Sequence, residues 1–247
     1  MPTSASQDRP DFPFYSGIPV ALSGWQWLVV MAGVVLAFYL LTAPLTHLPQ
    51  PWGTWVPALL FCGVPLGALA LVAGRHWTAL FHRVRGRDVL LMVGIAVLNL
   101  LVTMLVGALV AGLHHVSANP MFQSLGEADG AMRAMTLAAM VPQLLGEELL
   151  TILPFLALLW WLHARMHVRR RTAVIVAWLL SALPFALVHL PTYDWDLLQC
   201  LAIIGTARLV LSLGYVFSRN LWVSTGAHVL NDWTLFGVVL WMSSLAQ

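Results

Sequence analysis

Seven apolar runs, each close to the roughly 20 residues needed to cross a bilayer, fill this chain almost from end to end. They lie at about 24–45, 53–74, 89–113, 142–163, 172–191, 197–217 and 221–244. Inside hydrocarbon a backbone must satisfy its own N–H and C=O groups, which leaves helices or closed barrels. Continuous runs of this length suit helices. The expected fold class is therefore all-α: a polytopic membrane bundle of about seven transmembrane helices. Composition agrees, with 60% hydrophobic and 9% charged residues, against about 25% charged in a soluble domain.

Arginines set the orientation. Arg75, Arg83, Arg85 and Arg87 fall between runs two and three, and Arg165, Arg169, Arg170 and Arg171 between runs four and five. Arg219 separates runs six and seven, and Arg9 precedes the first. The alternate connections hold only Arg133. The positive-inside rule then predicts a cytoplasmic N-terminus and a C-terminus outside. Residues 1–23 read as a polar, Pro-rich cytoplasmic tail with no signal-peptide core. Residues 24–130 hold helices to which no role is assigned. Residues 131–141 read as a separate interfacial helix ended at Pro142, and 114–130 as a polar loop. Cys62 and Cys200 read as separate buried thiols. The small net charge of +2, with the arginines placed for topology, excludes a nucleic-acid partner.

Charged groups cost a few kcal/mol each in hydrocarbon even on the mildest scale. An adjacent acid pair, Glu147 and Glu148, nevertheless sits in the fourth run. Neighbours on a helix point about 100° apart, so one acid can face a cavity while the other pairs with a second helix. Phe185 and His189 share a face of the fifth run, and His228 and Asp232 a face of the seventh. Each motif alone also reads as packing: a neutralised acid, a hydrogen-bonded histidine, a self-satisfied pair. Together they point to one inward-facing polar site. Counting along the runs puts His189 near an outer end and His228 deeper, on the order of 10 Å apart in depth. His163 and His167, beside the arginines, read as a solvated interface.

The order Glu-Glu, then Phe-x-x-x-His, then His-x-x-x-Asn/Asp resembles the CAAX protease and bacteriocin-processing (CPBP, or Abi) family of intramembrane endopeptidases. The blocks are Gly146-Glu-Glu-Leu-Leu, Leu183-Pro-Phe-Ala-Leu-Val-His-Leu, and the stretch from Gly214 to His228. The likeness covers about 140–235 and makes 131–247 the peptidase core. It implies hydrolysis of membrane-embedded or lipid-modified peptides in a bacterial inner membrane. Glu147 would be the general base for water and Glu148 the second acid. His189 would help hold the water, and His228 and Asp232 would steady the oxyanion. It implies no obligatory cofactor, with zinc on Glu147, His189 and His228 as the alternative.

The family pattern continues Glu-Glu-x-x-x-Arg, and here that position is Ile152. Arg208, the arginine deepest in a predicted span, is expected to reach Glu148 from another helix in its place. Two other readings stay open. One is an impaired family member that binds peptides without cutting them. The other is a proton-coupled transporter using the acids and histidines as a relay. The chain has no His-Glu-x-x-His, Gly-x-Ser-Gly or Gly-x-Gly-Asp, which disfavours site-2, rhomboid and presenilin chemistries.

Overall fold

Every long element in the computed structural model is a helix. It describes residues 11–42 and 47–245, and no strand occurs among them. Helices α1 (Gly24–Thr42), α2 (Trp52–Ala73) and α3 (Gly86–Ala111) precede a short α4 (Pro120–Glu127). The long α5 (Gly130–Trp160) and α6 (Arg170–Val188) follow. A three-residue α7 (Leu197–Gln199) runs through a π turn into α8 (Gly205–Ser218), and α9 (Leu221–Leu245) ends the described chain. Among the described residues, six helical stretches are long and apolar enough to span a membrane. The seventh expected span, α9, is long enough but carries His228, Asn231 and Asp232, which lower its hydropathy. Arg9, used in the topology argument, and the C-terminal Gln247 lie outside the described residues.

Two expectations are corrected. Residues 131–141 are not a separate helix, because α5 runs unbroken through Pro142 and Pro154. A membrane helix tolerates proline because neighbouring helices and local adjustment absorb the lost hydrogen bond. The stretch 114–130 is not all loop either. Asn119 caps α4, its side chain accepting from the Met121 N–H, with Pro120 at the first helical position. Arg133 closes the other end of α4, donating to the carbonyls of Leu125 and Gly126 at 2.7 and 2.8 Å.

Close helix contacts set α5 in place. A Cβ on Gly146 would stand 2.4 Å from the Phe61 ring, so only glycine lets α5 lie this near α2. The main apolar core joins α1, α2, α5 and α6, with Phe61, Leu149, Ile152, Leu153 and Leu156 among its buried members. Phe12, Phe14, Tyr15 and Leu22, ahead of α1, are buried in the same core.

Candidate active site

Glu147 and Glu148 fall just past the middle of α5, which Gly146 holds against α2. The helical turn gives them different surroundings. The Glu148 side chain is 0% exposed and the Glu147 side chain 15%, so only Glu147 is open to a cavity. That cavity holds about 800 Å³ and is walled by α3, α4, α5, α8, α9 and the end of α6. Glu147, Phe185, His189, Arg208, His228 and Asp232 all line it. Of the site residues read from sequence, Glu148 alone stands behind the wall.

Glu148 is the anchor of a buried charge cluster. Arg208 Nη2 donates to Glu148 Oε1 at 2.6 Å, and His228 Nδ1 meets the same oxygen at 2.9 Å. Arg208 is fully buried, and its guanidinium carbon lies 4.9 Å from the centre of the Phe185 ring. Arg208 thus reaches Glu148 from α8, the pairing expected from the sequence. Ile152 is itself packed in the apolar core.

The hydrogen bonds also orient both histidines. A carboxylate paired to arginine only accepts, so Nδ1 of His228 carries a proton, and Nε2 faces the cavity. Nε2 is 3.8 Å from both Glu147 Oε2 and Asp232 Oδ1. His189 caps the end of α6, its Nδ1 2.7 Å from the Phe185 carbonyl. A carbonyl also only accepts, so the neutral ring offers Nε2 as an acceptor. The difference in depth is bridged because the cavity extends along the bundle, from Arg208 and His228 to α4 and the 3-10 turn Leu190–Tyr193.

Four lining residues were not singled out in the sequence. Asn231 Nδ2 donates to Asp232 Oδ1 at 2.9 Å, and Asn99 Nδ2, from α3, donates to Asn231 Oδ1 at 2.9 Å. Asn99 and Asn231 are buried. Their signal was present, since an amide deep in an apolar run needs a partner as a charge does. Gln143, one turn earlier on α5, donates from Nε2 to Glu147 Oε1 at 3.4 Å. Tyr193 stacks on His189 with ring centres 6.5 Å apart, and burial pushes its hydroxyl up to about 12. It remains a neutral donor at physiological pH. Phe185, His189 and Tyr193 recur every four residues, a pattern that could have marked it.

Among the described residues, no group of three His, Cys, Asp or Glu side chains stands arranged to hold a metal ion. Glu147, His189 and His228 line the cavity without forming such a set, and Nδ1 of each histidine is already engaged. His163 turns to the Val168 carbonyl at 2.9 Å and packs on Tyr15. The cysteines are unpaired.

Glu147, His189 and His228 thus face one cavity inside a bundle of apolar helices, with the Glu148–Arg208 pair behind it. Residues 129–234, from the cap of α5 through most of α9, match the family described as type II CAAX prenyl endopeptidase Rce1-like. Over this stretch the chain is similar to that protease family, in agreement with the resemblance read from its motifs. With its apolar helices this makes it a multi-pass membrane protein. No curated protein and no solved structure matches the chain.

Proposed function

We propose that the protein is an intramembrane endopeptidase in which Glu147 activates water against a peptide carbonyl. The observation that carries this reading is the opening of Glu147, His189 and His228 onto one cavity in a segment matched to a protease family. Glu147 takes a proton from a water held between its carboxylate and His189 Nε2. The hydroxide attacks the carbonyl carbon, and the doubly protonated His228 donates from Nε2 to the oxyanion. Glu148 balances the charge on that ring from behind. When the tetrahedral intermediate collapses, the C–N bond breaks and Glu147 returns its proton to the departing amine. Asp232, held by Asn231, orients His228 from the cavity side. A general base of this kind contributes about 10²–10⁴-fold to rate.

The substrate class is a membrane-associated or lipid-modified peptide, as the family description suggests. The missing arginine at Ile152 favoured a non-cleaving member. The Arg208–Glu148 pair supports the catalytic reading instead, because it supplies the second acid with its cation. The test is incubation of the purified full chain, in lipid, with a prenylated peptide and with a membrane-anchored peptide, followed by mass mapping of products. Glu147→Gln serves as the control. Cleavage by the native chain and none by the variant is expected. Binding of either peptide without cleavage would favour the scaffold reading, and proton-coupled uptake into liposomes the transporter.

A further inference from the structure

The two ends of the bundle differ in charge and in access to the site: a pocket beside Tyr15 and His163 at one end shares no lining residue with the site cavity, which reaches only the other. At one end lie Arg75, Arg83, Arg85, Arg87, Arg165, Arg169, Arg170, Arg171 and Arg219, with Asp11 and Asp88. At the other lie Glu127, Asp129, Asp194 and Asp196, with Arg133 alone among the described arginines. The cavity belongs entirely to the second end. Its mouth is framed by α4, including Asn119, Phe122 and Ser124, and by Pro191, Thr192 and Tyr193. Toward the arginine-rich end the lining reaches as far as Leu211 on α8 and His228 on α9, and none of it comes from the arginine-bearing loops. Beyond them the bundle is closed by Phe12, Phe155 and Tyr215, which contact one another at ring-centre distances of 5.2–6.3 Å.

We propose that the cavity opens to the extracytoplasmic side and receives its peptide from there. Arginine-rich connections stay in the cytoplasm, and here they all fall at the closed end. The mouth is then on the other side of the membrane, next to the α3–α5 and α6–α7 connections. The substrate class follows: a tail or loop of an exported or membrane-inserted polypeptide that presents its scissile bond from outside, not a lipidated C-terminus in the cytosol. The side of opening rests on charge and cavity shape. The substrate class rests in addition on the peptidase reading.

The mouth is built as a strap. The Ser117 N–H donates to Gln199 Oε1 at 2.9 Å, and Gln199 Nε2 donates to the Ser117 carbonyl at 2.8 Å. Ser117 Oγ donates to Asp194 Oδ2 at 2.7 Å, and His114 Nε2 meets Asp196 Oδ2 at 2.6 Å. These bonds tie the segment leading into α4 to the one leading into α7. An entering chain passes between α4 and the Leu190–Tyr193 turn.

The test uses the full chain in sealed right-side-out membrane vesicles and a membrane-impermeant maleimide. Ser124→Cys and Thr192→Cys, both exposed at the mouth, should label before permeabilisation, well above the background set by Cys62 and Cys200. Thr78→Cys, exposed at the arginine-rich end, should label only afterwards. A second arm co-expresses single-span reporters carrying one test peptide on the outer or the inner tail. Loss of the outer tail, absent with Glu147→Gln, is expected. Label at the mouth with neither tail cut would uphold the side of opening and overturn the peptidase reading. Label at Thr78→Cys from outside with the mouth silent, or loss of the inner tail alone, would overturn the inference.

Discussion

At the arginine-rich end the bundle closes over the site cavity, with a separate pocket beside Phe14, Tyr15 and His163 that reaches none of the site residues, while the opposite end is hollow, and the same kinds of residue do different work in each. At the sealed end Asp11 holds Arg170 and Tyr15 while Arg170 and Arg219 lie over the Phe12 ring, at 5.6 and 5.5 Å. Asn220 adds two 3.0 Å bonds to the His82 backbone. Polar groups there are consumed by one another and by packing. At the hollow end, Glu147, His189 and His228 each keep one polar atom toward the cavity. The difference separates a charge that stabilises from a charge that is available to react.

The contrast predicts different phenotypes for the two ends. Glu147→Gln, His189→Ala and His228→Ala should each abolish cleavage, with losses of about 10²–10⁴-fold for the base. The melting temperature should change little for Glu147→Gln, since the amide keeps its size and its contact with Gln143. Turnover assays alongside thermal unfolding in lipid measure both quantities. Wild-type turnover by Glu147→Gln would remove the distinction between the two ends.

Arg208 lies between these extremes. Arg208→Leu leaves Glu148 buried without its cation, and breaking a buried pair costs about 3–5 kcal/mol. Stability and turnover should fall together, because His228 loses the fixed carboxylate that orients it. Adding Ile152→Arg should recover only part of each. Position 152 is one turn beyond Glu148 but is packed against the apolar core, so a guanidinium there displaces neighbours. Full recovery would mean that the core around Ile152 is looser than its burial implies.

Gly146→Ala tests how precisely α5 carries the acids. The added Cβ meets both the Phe61 ring and its backbone, so α5 must move away from α2. Overpacking of this kind costs about 1–3 kcal/mol. Turnover should drop further than stability does, since Glu147 and Glu148 follow Gly146 directly. Equal wild-type values in both measurements would show that α2 yields instead.

The sequence disclosed the features that obey strong local rules. Run length marked the helices, because hydrocarbon thickness fixes it. The Arg208–Glu148 pair was legible because two opposite charges in apolar runs each require a partner. What escaped depended on context. Pro142 looked like a break by the rules of soluble helices, and bundle packing overrides them. Asn99 reaches Asn231 across 132 positions, and no spacing in the chain signals that pairing. Phe12, Phe14 and Tyr15 sit in a polar stretch whose apolar members are too few to show periodicity, yet they close the arginine-rich end.

The smallest effect belongs to the sealed end. Burial alone would raise the Asp11 carboxyl, but bonds from Arg170, Tyr15 and the Phe12 N–H hold it below its ordinary value of 3.8. A carboxylate depressed on folding contributes stability that is complete above the unfolded value and is lost as pH falls through the folded one. The contribution should therefore be constant at neutral pH and fade below about pH 4. Asp11 is 42% exposed, so solvent screens the pair and the gain is about 0.2–1 kcal/mol. Asp11→Asn should lower the melting temperature slightly at pH 7 and leave turnover unchanged. The gap between the two proteins should narrow as the medium is acidified. A gap that widens on acidification would mean that Asp11 acts through something other than its charge, and a loss of turnover at pH 7 would tie the sealed end to the chemistry of the hollow one.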